Sequence, residues 1–341
     1  MHSSAFNSPS SILHPPLKCV ATIGSFDGVH RGHRSLLSQV RSIADERDLS
    51  AVAVTFRMSP KRVLGLYDAP QLTTLDERVA KLREAGMDDV ALLDFSAEMA
   101  AMSAHDFMQQ VLKERLGVAV LVIGYDHRFG RDRSEGFDDY VRYGSELGIE
   151  VVRGEVCMDS DEPVSSTRVR GYLAEGRMAE TERLLGYKYT LCGKVVDGYK
   201  VGRKMGFPTA NIQVTDAYKL LPADGVYAVK VDFVNNDNEN GNYHGDGNNC
   251  QLPIVNCQLG MGMLNIGHRP TVNNGEERSI EVHILDFDGD LYGMTLQIEF
   301  LDRLREERHF ESIDELIAQL EMDKLRVREL AIDNSQLTID N

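Results

Sequence analysis

A change of rhythm near residue 187 constrains the fold of this chain more than any other feature of its sequence. Before it, short apolar runs at Cys19–Ile23, Ala51–Phe56, Val90–Asp94, Ala119–Ile123 and Ile149–Val152 alternate with longer stretches. In those stretches, Ser35–Arg47, Leu75–Glu84, His105–Leu116 and Phe137–Leu147, apolar residues recur at three- and four-residue spacing. Helix-length crossovers between successive strands call for a parallel sheet, because a tight turn joins only antiparallel neighbours. The first part is therefore expected to be an α/β, doubly wound parallel sheet that binds ligands beyond the carboxyl ends of its strands. After residue 187 the runs Tyr189–Val196, Val226–Phe233, Ile280–Leu285 and Met294–Phe300 are separated by turns. That pattern predicts an antiparallel barrel or sandwich, followed by one amphipathic helix at Ile313–Leu330.

A length of 341 residues fits two domains. The rhythm sets their expected limits: an extension over residues 1–17, a first domain over 18–186, a second over 187–330 and a tail over 331–341. The Gly- and Asn-rich tract Asn235–Asn249 is too polar for core and reads as an inserted hairpin loop; its His244, with Cys250 and Cys257 nearby, lacks a metal-ligand spacing. A formal net charge of −16, with neither half basic, argues against a nucleic-acid or anionic-membrane partner. Five scattered cysteines show no disulfide framework, the Ser- and Pro-rich start does not read as a signal peptide, and no apolar run approaches a bilayer span. These features predict a soluble cytoplasmic protein with small-molecule partners. They say nothing about self-association.

The first run leads straight into Gly24-Ser25-Phe26-Asp27-Gly28-Val29-His30-Arg31-Gly32-His33 and then a helix. The glycines allow tight turning and bring backbone N–H groups to a helix start, where they can meet an anion. His30 and His33 are three apart, so their imidazoles share one side of the first turn. Such a cradle suits nucleotidyl transfer, in which charge on phosphate must be held without a covalent nucleophile. The segment resembles the HxGH nucleotidyltransferases, and FDGVHxGH in particular resembles the FMN-adenylylating module of bifunctional riboflavin kinase/FAD synthetases. The resemblance implies a Rossmann-like first domain with His30 and His33 catalytic, and with Gly24, Phe26, Asp27 and Gly28 binding nucleotide or flavin. It extends to Gly124-Tyr125-Asp126-His127-Arg128-Phe129-Gly130, where Asp126 is implied in nucleotide or flavin contacts. It also covers Val164-Ser165-Ser166-Thr167-Arg168-Val169-Arg170, where Arg170 matches a phosphate-binding arginine and the hydroxyls of Ser165, Ser166 and Thr167 either bind phosphate or cap the helix Val169–Glu175. One departure stands out. In Thr55-Phe56-Arg57-Met58-Ser59-Pro60, Ser59 replaces the family's usual histidine and Arg57 replaces an acidic or small residue. Two outcomes stay open: weakened adenylyl transfer, or a phosphate contact from Arg57.

In the second half, Gly198-Tyr199-Lys200-Val201-Gly202-Arg203-Lys204 precedes Met205-Gly206-Phe207-Pro208-Thr209-Ala210-Asn211. Its glycines and cations suit a loop folded over phosphates. Thr209 and Asn211, two apart on an extended segment, can offer oxygens to Mg²⁺ and ATP on the same side. The string closely resembles the flavokinase signature GFPTAN, supported by Leu221–Tyr227, Asn265–Thr271 and Glu281–Phe287 with Asp290–Gly293. The resemblance implies a β-barrel riboflavin kinase domain with a C-terminal helix. In it Glu281 is the general base for the riboflavin 5′-hydroxyl, and Gly202, Arg203, Lys204, Gly206, Pro208 and Arg305 bind substrate. His283 falls on the strand face of Glu281 and reads as a packing or supporting group. The whole chain then reads as an enzyme that uses ATP, with Mg²⁺, to make FMN from riboflavin and FAD from FMN. The rival readings are a kinase with a weakened adenylyltransferase and a flavin- and nucleotide-binding protein without turnover.

Overall fold

The computed structural model describes residues 18–67, 69–131, 133–198, 201–235, 254–270 and 276–337. The N-terminal extension, Tyr199, Lys200, His244, Cys250 and residues 236–249 of the Asn-rich tract lie outside them. Packing divides the described residues into two compact units, up to Ser165 and from Ser166.

In the first unit, strands β1 (Cys19–Ile23), β2 (Ser50–Phe56), β3 (Asp89–Leu93), β4 (Val118–Ile123) and β5 (Glu150–Arg153) form a parallel sheet in the order β3-β2-β1-β4-β5. Alternate strand residues enter two different cores, as a doubly wound sheet requires. Val20, Ala51, Ala53, Val120 and Val122 pack with Leu36, Leu37 and Val40 of α1 (Arg31–Arg47). Ala21, Ile23, Val54, Leu121 and Ile123 face the other side. That side is covered by α6 (Phe137–Leu147) and by a helix that begins as α5 (Ala104–Asp106) and widens into a π-helical stretch over Phe107–Arg115. The remaining elements are α2 (Pro60–Val63), α3 (Leu75–Glu84), α4 (Ala97–Ala101) and the short hairpin β6 (Met158–Asp159) and β7 (Glu162–Pro163). Strand order reverses between β1 and β4, so their carboxyl ends frame the crevice where such sheets bind ligands. Helix α1 starts at Arg31, four residues before its apolar spacing becomes visible, because its first turn is polar and glycine-containing.

The second unit begins with α7 (Ser166–Glu175) and α8 (Met178–Leu185), so Ser166 and Thr167 lie within a helix that starts earlier than its sequence pattern indicates. These helices pack on the barrel. The Ala223 N–H donates to the Leu173 carbonyl at 2.9 Å, Arg303 donates to the Glu175 carbonyl, and Leu173, Leu184 and Leu185 are buried. The packing limit at Ser165 and Ser166 thus precedes the change of rhythm, because periodicity reports local conformation and not which core a helix joins. Strands β8 (Thr190–Val196), β9 (Ala210–Val214), β10 (Gly225–Asn235), β11 (Ile254–Pro270), β12 (Glu276–Ile284) and β13 (Thr295–Arg305) close in the order β10-β11-β12-β9-β8-β13. A one-turn helix, α9 (Val201–Lys204), links β8 to β9. Tyr227, Val229, Leu264, Val282, Ile298 and Phe300 fill the interior. On the outer face, Val226, Ala228 and Met263 pack against Ile317, Leu320, Val327 and Leu330 of α10 (Ile313–Leu337).

Candidate active sites

The loop after β1 is held in a tight and partly strained form. Phe26 and Val29 adopt φ of 48° and 33° although neither is glycine, and both are buried. Each such residue costs on the order of 1–3 kcal/mol, so the surroundings must hold it. The buried Asp27 accepts hydrogen bonds from the N–H groups of Leu72 and Thr73 and from the Thr73 hydroxyl. Thr73 in turn accepts the Gly28 N–H at 3.0 Å. From beneath, the buried Arg78 donates to the carbonyls of Ser25 and Phe56, at the ends of β1 and β2. Burial lowers its affinity for the proton and the Asp27 charge opposes that shift. Asp27 is therefore a scaffold for the cradle, and Arg78 is a second scaffold that its charged, helix-like surroundings in the sequence hide. Space is tight at Gly24, where a Cβ would meet the Phe26 ring at 3.1 Å, and at Gly32, where it would meet the Val164 carbonyl at 3.0 Å.

His30 caps α1, its Nδ1 accepting the His33 N–H at 3.3 Å, so a neutral His30 carries its proton on Nε2. The His30 and His33 rings stack with centroids 3.7 Å apart, and Phe26 meets His33 edge-on. The N–H groups of Gly28, Val29 and His33 are all used within the protein. Burial, and then the positive potential of His30 and His127, hold the His33 imidazolium well below the ordinary histidine range. His127 comes from the turn after β4. A Cβ on Gly124 would touch both His127 and Leu36 of α1 at 3.7 Å, so this third imidazole stands beside the helix that carries the first two. Burial lowers its pKa to about 4. The segment Gly124–Gly130 contains it, but its place beside His30 and His33 is not legible in the sequence, because β1 and β4 are distant in the chain and adjacent in the sheet. Asp126 is exposed beside it, Ser165 ends the unit, and Arg57 pairs with Asp94 at 3.3 Å. Ser166, Thr167 and Arg170 belong to α7 of the other unit, with Thr167 exposed and Arg170 half-buried.

The second site is assembled by strand register. Glu281 on β12 lies opposite Asn211 on β9 and Asn265 on β11. The Thr209 hydroxyl donates to the Glu281 carboxylate at 3.2 Å. The Asn211 amide packs on Gly198, where a Cβ would overlap it, and Gly202 is likewise required by the Phe207 carbonyl. Gly206 has a φ of 84°. His283 donates from Nδ1 to the Pro208 carbonyl at 2.8 Å and meets the Phe207 ring edge-on, so it braces the turn that delivers Thr209. Arg203, Pro208 and Thr209 line a cleft of about 800 Å³, whose far wall includes Ile284, Phe287 and Asp290. Lys204 belongs to α9. Arg305, at the end of β13, donates from Nε to Asp323 of α10 at 2.9 Å and lies over Phe310.

Comparison with known proteins covers both units. Residues 14–168 match the family model described as FAD synthetase, and residues 185–331 match that described as riboflavin kinase. A protein of Escherichia coli K12 named bifunctional riboflavin kinase/FMN adenylyltransferase is 37% identical over 316 residues, covering 92% of this chain and 93% of its own. One of the same name from Pseudomonas fluorescens is 36% identical, covering 92% and 93%. A crystal structure from Streptococcus pneumoniae, titled as a macrolide-efflux protein, matches with a TM-score of 0.78 and 32% identity over 94% of this chain and 95% of that one.

Proposed function

The chain belongs to the bifunctional riboflavin kinase/FMN adenylyltransferase family, and from that premise we propose which of its residues carry each of the two reactions. The barrel phosphorylates riboflavin with ATP to FMN and ADP. The parallel-sheet unit joins FMN to ATP, giving FAD and pyrophosphate.

In the kinase reaction Glu281 takes the proton of the riboflavin 5′-hydroxyl as that oxygen bonds to the γ-phosphorus and the bond to ADP breaks. The Thr209 hydrogen bond aims the carboxylate, and the cleft beside Thr209 takes ATP, with Arg203 toward the phosphates and Ile284 and Phe287 as an apolar wall for the base. Gly202, Gly206 and Pro208 shape the backbone around it, and Lys204 adds charge. Mg²⁺ fits this corner. Thr209 and Asn211 offer hard oxygen donors too few for a closed cage, which suits an ion that keeps phosphate and water as most of its ligands. Among the described residues no group of three His, Cys, Asp or Glu side chains could hold a metal alone. When bound, Mg²⁺ neutralises charge on the phosphates.

In the adenylyl transfer an oxygen of the FMN phosphate attacks the α-phosphorus of ATP and pyrophosphate leaves. His30 and His33 donate N–H groups to the phosphate oxygens, and the loop at Gly24, Phe26 and Gly28 sets their position. Asp126 contacts the nucleotide or flavin; Ser165, Ser166, Thr167 and Arg170 serve phosphate. The domain limits proposed from rhythm, 18–186 and 187–330, describe the chemistry of the two halves. No described helix is long and apolar enough to cross a membrane. We assign the reactions to the cytoplasm, where ATP is available and where cysteines such as Cys19 and Cys157 stay reduced.

The stacked His30 and His33 pair in one unit, with the Thr209 to Glu281 hydrogen bond in the other, is the observation that carries this division of labour. Chromatography of the flavins formed from riboflavin and MgATP tests it: FMN should appear first and FAD follow. FMN without FAD would favour the weakened adenylyltransferase, and neither product would leave a binding protein.

A further inference from the structure

Helix α10 packs on the barrel through Ile317, Leu320, Val327 and Leu330. Asp323 stands at the same helical spacing, in the middle of that apolar stripe, and is 4% exposed. A carboxylate at a core position is costly unless it is paired, and a leucine there would pack at no such cost. Asp323 divides its two oxygens. Oδ2 accepts from Arg305 Nε at 2.9 Å, and Oδ1 accepts from Gln319 Nε2, one turn earlier, at 2.7 Å. This differs from the bidentate pair that a guanidinium and a carboxylate make when they serve only each other. Arg305 Nη1 reaches the Glu306 carbonyl, and among the described residues the Nη2 amino group has no partner. Asp323 holds Arg305 by its stem and leaves the Nη2 arm of the outer fork open.

That fork belongs to the same outer face as Glu281. Arg305 pairs with Val226, Val226 with Asn265, and Asn265 with Glu281, a row that crosses four adjacent strands. At about 4.8 Å per strand the row is about 14 Å long. The cleft assigned to ATP lies beyond Glu281, on the side of β9 and Thr209. Arg305 is therefore at the end of the row away from ATP, where the flavin must extend if its 5′-hydroxyl is at Glu281. We propose that Asp323, with Gln319, is a positioning residue for riboflavin phosphorylation: it fixes Arg305 so that its Nη2 amino group meets the polar edge of the flavin. The assignment rests on the reading of Glu281 as the base and of Arg305 as a flavin-binding group.

Steady-state phosphorylation by the full chain, varying riboflavin and MgATP separately, tests it. Asp323→Asn keeps the shape and removes the charge, and should raise the KM for riboflavin about tenfold, the value of one charge-assisted hydrogen bond. The KM for MgATP and kcat should be nearly unchanged. Asp323→Glu should recover part of the loss. Leu320→Ala loosens the same helix without touching Arg305, and should leave the riboflavin KM within about twofold of the starting protein. A riboflavin KM that Asp323→Asn does not move, while Arg305→Ala raises it, overturns the positioning role. An equal rise from Leu320→Ala also overturns it, because helix docking alone would then explain the effect. If Arg305→Ala leaves the riboflavin KM unchanged, the flavin-binding reading of Arg305 fails and the proposal fails with it.

Discussion

The two sites proposed to handle phosphate in this chain are built by opposite means. Around His30 and His33 the backbone is forced into positive φ at Phe26 and Val29 and clamped by Asp27 and Arg78, so the functional groups are close in sequence and their supports are remote. Around Glu281 the backbone is ordinary strand, and the register of β9, β11 and β12 brings together residues that are 72 apart in the case of Thr209 and Glu281. Strain can compress a site into one motif, whereas register can recruit a site from an entire sheet. The first arrangement is exposed to loss of its clamps, and the second to loss of single side chains.

The sharpest break in that comparison is chemical. Glu281→Gln should lower FMN formation about 10³-fold while conversion of supplied FMN to FAD continues, as read by flavin chromatography. Equal loss of both would end the division between units. His30→Ala should do the reverse, lowering FAD formation about 10²-fold with riboflavin phosphorylation intact. Next comes stability. Asp27→Ala leaves the buried N–H groups of Leu72 and Thr73 without their acceptor, and should destabilise the first unit by about 3 kcal/mol in a denaturant titration. Arg78→Met should have a smaller effect of the same kind; the transition of the barrel should not move in either variant.

A smaller effect follows from the imidazoles. His33 and His127 resist protonation in the folded unit, so between the ordinary histidine value of 6.5 and the value of about 4 for His127 the unfolded chain binds more protons. Stability of the first unit is then complete above pH 6.5 and falls as the pH drops toward 4, by about 1 kcal/mol per pH unit for His127, with His33 adding a loss in the same direction. Thermal melting at about pH 7 and about pH 5 should show the loss, and His127→Phe should reduce it. Replacing residues 236–249 by a short turn should change both activities least, within about twofold; a large fall in kinase rate would make that tract part of the site.

Much of the first unit is legible in the sequence because each strand is a short apolar run and each helix keeps its spacing. The first turn of α1 is not legible as helix, since Arg31, Gly32, His33 and Arg34 present no apolar repeat. Strand β11 is harder. Gly260, Gly262 and Gly267 interrupt its alternation, and their purpose appears only in three dimensions: Gly262 lies against the His283 carbonyl and Gly267 against the Glu307 carboxylate. The motifs supplied His30, His33, Thr209, Asn211 and Glu281. They did not supply Arg78 or Asp323, and they contained His127 without a role for it; each looks like an ordinary polar residue until a neighbour distant in sequence is brought beside it. Asp27 shows the converse, a motif residue whose hydrogen bonds go to the protein.

The ring of strands in the second unit also sets a clock. Strand β13 is the last strand of the barrel in chain order, and it pairs with both β8 and β10. Until Arg305 has been synthesised the ring stays open and β8 lacks one neighbour, while the parallel sheet of the first unit has all five strands once Arg153 has emerged. During synthesis the strands of the parallel sheet are therefore all present well before the barrel can close. A premature stop between the end of α7 and the end of β13 would keep every residue proposed for the FMN-consuming reaction and lose the closed barrel of the FMN-producing one.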